Sequence, residues 1–307
     1  MKKRFLPFIA MMASFAVFGC SDTKTSATGK TAEPAKTAAE KSAAPAENAA
    51  PAEAANVVQV AKTITLANGA KVTWIQDNQG EKLNPRSLFS DASDSLYASL
   101  NLPEGIPASV STFLLQIDGK NILFDAGLGA FGGQTLDRLS ALDVTPDKID
   151  LIYLTHFHMD HIAGLVVKDS AGKDVKAFNN AAVYAGKVEY DAWMNDLPKN
   201  DLQKVVMGIY KDSLHLFAFG DSLPHGVLAL DAVGHTPGHT AFQVSNLLVI
   251  GDLMHGYALQ KDHPEINSNY DMDKEKSVES RKRLMQYARD NKLTMAGMHL
   301  PPPGFAE

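Results

Sequence analysis

The sequence predicts an α/β fold in which sheets pack between helices. Three observations lead there. Two hairpin-like pairs open the globular part, apolar runs of strand length then alternate with stretches of helical pattern, and a long charged helical run comes near the end.

The first pair is Ile64–Leu66 and Val72–Ile75, joined through Asn68-Gly69, a dipeptide that takes the positive φ angles of a tight turn. Phe113–Ile117 and Asn121–Phe124 repeat the pattern around Asp118-Gly119. Residues 77–108 carry no clear periodicity and are expected to form a long loop beside the functional site. Beyond them the pattern gives a helix over 134–142 and a buried strand over 149–154. A strand follows over 181–184, then helices over 187–195 and 202–210. Strands are expected at 214–219, 227–233, 241–244 and 247–250, a helix at 274–291 and a short strand at 294–298. No internal repeat at a solenoid period is visible.

The N-terminus has a different character. Lys2, Lys3 and Arg4 precede a short apolar run, Phe5 to Phe18, too short for a membrane span and suited to a secretory leader. The run ends at Val17-Phe18-Gly19-Cys20, which resembles a bacterial lipobox and implies cleavage before Cys20 and acylation of its thiol. Cys20 is the single cysteine, so disulfides and cysteine metal ligands are excluded. Ser21 after it favours the outer membrane if the source is Gram-negative. Residues 22–56 hold no aromatic residue and no Val, Ile or Leu, so they cannot bury enough apolar surface to offset ordering entropy. The expected organisation is a leader over 1–19, a lipid-anchored disordered tether over 20–56 and one domain over 57–307. The formal charge is −6 and no Lys/Arg cluster stands out, which argues against a nucleic-acid partner.

The chemistry is concentrated in Thr155-His156-Phe157-His158-Met159-Asp160-His161, directly behind a predicted strand. That density of imidazole and carboxylate is more than a core or a solvated loop requires, and it points to metal ligation. Alternation lets His156 and His158 point the same way, with Asp160 and His161 turned toward a second position.

His-Phe-His-Met-Asp-His resembles the HxHxDH signature of the metallo-β-lactamase superfamily. Asp125-Ala126-Gly127 resembles its DxG turn and Gly234-His235-Thr236-Pro237-Gly238-His239 its GHTPGH loop. Gly251-Asp252 resembles the strand end with the bridging carboxylate, and Ala296-Gly297-Met298-His299 the last histidine-bearing strand. The resemblance implies an αββα sandwich with the metal site at the sheet edge. His156, His158 and His235 would bind a first metal, Asp160, His161 and His299 a second, and Asp252 both. It also implies that Asp160 and Asp252 support catalysis and that the cofactors are two divalent ions, with zinc expected first and iron, manganese or cobalt compatible with the same donors. Such a pair acidifies water, so no Ser or Cys nucleophile is required. His239 is expected behind the ligands rather than among them. His255 is left between pocket and packing roles, and so is Trp193. His215, His225 and His263 are read as surface or structural, and Glu189 as outside the metal shell.

The stretch from Gly251-Asp252-Leu-Met-His255 through Leu259-Gln260, His263-Pro264-Glu265, Asp271-Met-Asp273 and Arg281-Lys-Arg283 to His299-Leu-Pro-Pro-Pro-Gly304 is similar to the methyl parathion hydrolase branch. Pro302 stands where that branch usually has Phe. The sequence stops at Glu307, so the expectation is an absent last strand or a truncated sequence. The implied function is hydrolysis of small esters, lactones or phosphotriesters. The alternatives are a glyoxalase II-like thioesterase and a non-catalytic metal- or ligand-binding lipoprotein. Physiological substrate and oligomeric state are not encoded in any motif.

Overall fold

The computed structural model describes residues 59–198 and 200–307. The leader, Cys20 and the 20–56 tether lie outside the described residues.

Two sheets carry the fold. The first has seven strands in the order Ala61–Thr65, Lys71–Gln76, Ser111–Ile117, Lys120–Phe124, Leu151–Leu154, Ala182–Gly186 and Leu214–Phe217. The early hairpins give its antiparallel half, and the later strands join in parallel. The second has six strands in the order Ser222–Leu223, Val227–Asp231, Thr240–Val244, Leu247–Gly251, Thr294–Gly297 and Phe305–Ala306.

Side-chain alternation sorts the residues into layers. Val72, Trp74, Phe113, Leu115 and Phe124 of the first sheet meet Val227, Phe242, Leu247 and Val249 of the second in one buried cluster. Ile75, Leu114, Leu123 and Ile152 face the other way, onto Leu139, Val206, Met207 and Tyr210 of helices Thr135–Ala141 and Asp201–Tyr210. On the far side, Leu248, Ile250 and Met295 pack against Leu284, Met285 and Ala288 of helix Lys274–Asp290. The result is helix, sheet, sheet, helix, the predicted αββα sandwich.

Three expectations change. Residues 77–108 are not one long loop. Lys82–Asn84 pairs with Ile106–Ala108, and helix Asp94–Ser99 packs Tyr97 onto Leu88, Phe89, Ile106 and Leu259. These elements are too short to show a period. The helix expected over 187–195 is α-helical only over Lys187–Asp191 and continues as a π turn over Ala192–Asp196. Where the expectation was an absent last strand or a truncated sequence, a two-residue strand, Phe305–Ala306, pairs antiparallel with Met295 and Ala296. Gly304 leads into it at φ 75, where a Cβ would fall 2.2 Å from the Trp74 ring.

Candidate metal centre

The site lies where strands of both sheets end. The Leu151–Leu154 strand delivers Thr155–His161, and the Leu247–Gly251 strand delivers Asp252. His235 precedes the Thr240–Val244 strand, and His299 follows Thr294–Gly297. Within the histidine motif Phe157 is driven into the core, which leaves His156 and His158 on the opposite side of the extended chain. Met159–Ile162 then forms a single helical turn that redirects Asp160 and His161.

The predicted ligands come together in two adjoining groups. His156, His158, His235 and Asp252 offer ligand atoms that all lie within 4.8 Å of one another, as do those of Asp160, His161 and His299. His158 Nδ1 stands 3.1 Å from His156 Nε2 and 2.8 Å from His235 Nε2. Asp252 lies between the groups, with Oδ2 3.2 Å from His235 Nε2 and 3.0 Å from His299 Nε2, and Oδ1 3.1 Å from His161 Nε2.

These residues fit a metal pair. His161 Nε2 and Asp252 Oδ1 are buried polar atoms with no hydrogen-bond partner, although each faces the other. Buried polar atoms without a hydrogen-bond partner are costly, and a cation bound by both atoms would compensate them. The charge distribution agrees. Burial, aided by neighbouring His235, brings the His158 pKa down to about 3, and burial drives His156 well below the usual range, so both present neutral lone pairs. At His299 burial opposes protonation, but the Asp252 and Asp160 carboxylates outweigh it and raise the pKa to about 10. His161 is raised well above its ordinary value against the same burial, by Asp252, Asp160 and Asp125. A divalent ion would replace the protons that this carboxylate-rich half now holds.

Behind the ligands, the other ring nitrogens are fixed. His161 Nδ1 donates to Asp125 Oδ2 at 2.7 Å, and the same oxygen accepts the Thr155 hydroxyl at 2.7 Å. Asp125 sits at φ 59 at the head of the DxG turn, which aims its carboxylate back under the motif. His235 Nδ1 lies 3.1 Å from Asp271 Oδ1, and His299 Nδ1 donates to the Ser109 carbonyl at 2.9 Å. Such partners set tautomer and ring orientation. His239 is not among the converging ligand atoms. Its Nδ1 donates to the Ala232 carbonyl at 2.9 Å and its Nε2 accepts the Asp252 N–H at 3.0 Å, so it positions Asp252. Gly251 makes this contact possible, since a Cβ there would fall 2.3 Å from His239 Nε2.

His255 lines the cavity over the metal groups, stacks on His299 at 4.9 Å and places Nε2 3.1 Å from Asp252 Oδ2. Of its two expected roles, Trp193 shows the packing one and is not among the residues that line the cavity. It belongs to the helix-side core, and its ring meets His158 edge-on at 5.7 Å. His225 contacts Asp118 at the surface and His215 stacks on Tyr184, both away from the centre.

Sequence reasoning missed three supports. Glu189 lies outside the ligand set but is buried, and it accepts four hydrogen bonds. Oε1 takes Phe157 N at 2.9 Å and Trp193 Nε1 at 2.6 Å, and Oε2 takes Thr236 Oγ1 and Gly238 N, each at 2.8 Å. It therefore joins the His156–His158 segment to the His235 loop while remaining, as expected, outside the ligand set. Gly238 is required there, because a Cβ would meet the Glu189 backbone nitrogen at 2.1 Å. Asp271 and Arg281 form the second support. Arg281 is fully buried, and it donates to Asp271 Oδ2 at 3.2 Å and to the Leu253 carbonyl at 2.7 Å. Ser109 is the third. The similarity pattern contained Asp271 and Arg281, but a polar residue in a polar stretch carries no local sign of burial.

The cavity above the centre has a volume of about 490 Å³ and is walled by Asn78, Asn84, Val110, Leu128, Met159 and Tyr270. Its described lining contains no Ser, Thr or Cys.

The comparisons with known proteins agree with this geometry. A family model described as the metallo-beta-lactamase superfamily matches residues 105–299. A hydroxyacylglutathione hydrolase of Aeromonas salmonicida (strain A449) is 30% identical over 154 residues, which is 48% of this chain and 49% of that enzyme. The chain thus spans about half that relative's length. Among solved structures, AbOPH, a hydrolase in the beta lactamase superfamily, superposes with a TM-score of 0.71 at 27% identity, covering 81% of this chain and 93% of that one. AidC, a dizinc quorum-quenching lactonase in complex with the product N-hexanoyl-L-homoserine, gives 0.70 at 25% identity, covering 80% and 92%. The match extends over most of the folded region and takes in the histidine motif, the His235 loop, Asp252 and His299, and the chain belongs to the metallo-β-lactamase superfamily as one of its hydrolases.

Proposed function

We propose that this hydrolase holds two divalent ions and cleaves small esters, lactones or phosphotriesters. The observation that carries the reading is the placement of Asp252 between two adjoining ligand groups on the floor of a cavity whose described lining holds no Ser, Thr or Cys. His156, His158 and His235 would hold one ion, Asp160, His161 and His299 the other, and Asp252 both. When bound, such ions supply Lewis acidity toward a carbonyl or phosphoryl oxygen and toward water. The chain's own contribution is positional. Asp125, Asp271 and the Ser109 carbonyl hold the imidazoles in one orientation, and Val110, Leu128 and Met159 form a partly apolar wall for the substrate.

Structural similarity to the lactonase AidC supports a lactone or ester. Similarity to a hydroxyacylglutathione hydrolase supports a second reading, acylglutathione thioester cleavage, though over about half of that enzyme. The deciding experiment is a panel of lactones, aryl esters, phosphotriesters and acylglutathiones, run with metal-loaded and chelated protein. Turnover of an oxygen ester or triester, lost on chelation and restored by metal, supports the first reading. Turnover of the thioester alone replaces it with the second, and none on any substrate favours a binding protein.

We further propose export and lipid anchoring through Cys20, on the strength of Val17-Phe18-Gly19-Cys20. Cys20→Ala should leave the protein unprocessed or release it from the membrane fraction. An acylated mutant would refute the anchor.

A further inference from the structure

The cavity wall carries one charge that the metal groups do not account for. Lys82 is half-buried and lines the same cavity as Asp160, Asp252 and His299. Among the described residues no carboxylate lies within 4.0 Å of its ammonium group, although other lysines such as Lys120, Lys168 and Lys187 have such partners. The other lining residues outside the ligand groups offer no counter-charge, since Asn78, Asn84, Val110, Leu128, Met159 and Tyr270 are all uncharged. The acidic residues of the lining, Asp160 and Asp252, both belong to the ligand set and would be neutralised by bound cations.

The position of Lys82 is tied to the reacting centre. In the Lys82–Asn84 strand, Lys82 and Asn84 share the face toward the cavity, while Leu83 points away and is exposed. Lys82 pairs with Ala108, the residue before Ser109, whose carbonyl holds His299. Asn84 Nδ2 donates to the His255 carbonyl at 2.7 Å, which fixes the other end of the strand to the segment behind Asp252. A two-stranded ribbon thus ties the lysine's strand to the residue that holds His299 and to the segment that follows Asp252.

We infer that Lys82 selects substrates bearing a carboxylate set apart from the scissile bond, the ammonium group binding that anion while the metal centre takes the ester or lactone carbonyl. The inference rests on the hydrolase reading above. A partly buried ammonium facing a carboxylate makes a charge-assisted hydrogen bond, and at this degree of exposure its loss should cost about tenfold in recognition.

The test uses matched six-carbon compounds. For turnover, mono(4-nitrophenyl) adipate is compared with 4-nitrophenyl hexanoate. For binding, calorimetry compares adipate with hexanoate on metal-loaded protein, so that both present one carboxylate to the metals and only adipate offers a second. The expected result is a clear preference in wild type for the member of each pair that carries the additional carboxylate. In Lys82→Gln the adipate-to-hexanoate ratio of kcat/KM, and likewise of Kd, should shift by about tenfold against adipate. Lys82→Arg should restore it and Lys82→Glu should reverse the preference. The wild-type preference should also shrink with added salt. Equal binding of adipate and hexanoate by wild type overturns the inference, as does a ratio unchanged in Lys82→Gln. If neither ester turns over while adipate still binds tighter than hexanoate in a Lys82-dependent way, the hydrolase reading fails and the anion site stands.

Discussion

His161 Nε2 and Asp252 Oδ1 face each other 3.1 Å apart in the buried floor of the cavity, and neither has a hydrogen-bond partner. A protein that leaves a buried nitrogen and a buried carboxylate oxygen without partners either loses stability or gains it back from a bound cation.

The first prediction follows from that pairing. Purified protein should carry about two equivalents of transition metal, one for each ligand group. Because the metal binds the folded state, saturation at about a thousandfold over Kd should add about 4 kcal/mol, or roughly 8–16 °C in Tm for a domain of this size. Calorimetry with and without chelator measures it. An unchanged Tm together with zero metal after supplementation would remove the metal centre from consideration.

The second prediction concerns the shared carboxylate. The Nε2 atoms of His235, His255 and His299 all converge on Asp252 Oδ2, at 3.2, 3.1 and 3.0 Å. Asp252→Asn keeps the shape and removes the charge. It should lower metal content and reduce turnover by at least about a hundredfold, with the circular dichroism spectrum preserved. Near-full activity with two metals retained would show that Asp252 is not the bridge.

The histidine motif was readable because its chemistry is local. His156, His158, Asp160 and His161 fall within six residues, and no ordinary packing need explains them. Asp252 and His299 came within reach only through resemblance, since their approach to His161 depends on two sheets meeting along Phe113, Phe124, Phe242 and Val249. The supports were hidden for another reason. Glu189, Asp271 and Arg281 carry no local sign of burial in the sequence, because their burial is decided by elements distant along the chain. The 77–108 region escaped because strands of three residues fall below any window that detects alternation.

The third prediction tests the support behind His235. Asp271 holds His235 Nδ1 with one oxygen and Arg281 with the other. Asp271→Asn should weaken metal affinity by about ten- to hundredfold, because the imidazole loses the anion that fixes its tautomer and raises its basicity. A chelator competition titration reads this directly. Arg281→Met should be more destabilising than metal-weakening, since it leaves the Asp271 carboxylate buried without its cation. If Asp271→Asn binds metal as wild type does, the contact with His235 has no energetic role.

Glu189 provides the last prediction, since the structure gives it a supporting role that the sequence did not show. Its carboxylate accepts two backbone N–H groups, an indole N–H and a hydroxyl, and no cation lies among these partners. Burial outweighs the four donors and raises its pKa above the ordinary carboxylate value, so the group depends closely on keeping all of them. Glu189→Gln replaces one oxygen by an NH2. Whichever way the amide is turned, it opposes at least one of the backbone donors, Phe157 N or Gly238 N. Leaving a buried donor unpaired and losing charge assistance should cost about 2–4 kcal/mol. That corresponds to a drop of roughly 5–15 °C in Tm. Phe157 lies between His156 and His158, and Gly238 closes the loop that starts from His235, so loosening both should also displace ligands on the first metal group. Turnover should fall about tenfold with a matching loss of metal affinity. Glu104→Gln, at an exposed position, is the comparison that should change neither quantity. A Glu189→Gln protein with the Tm and metal affinity of wild type would show that the two loops hold their geometry without this carboxylate.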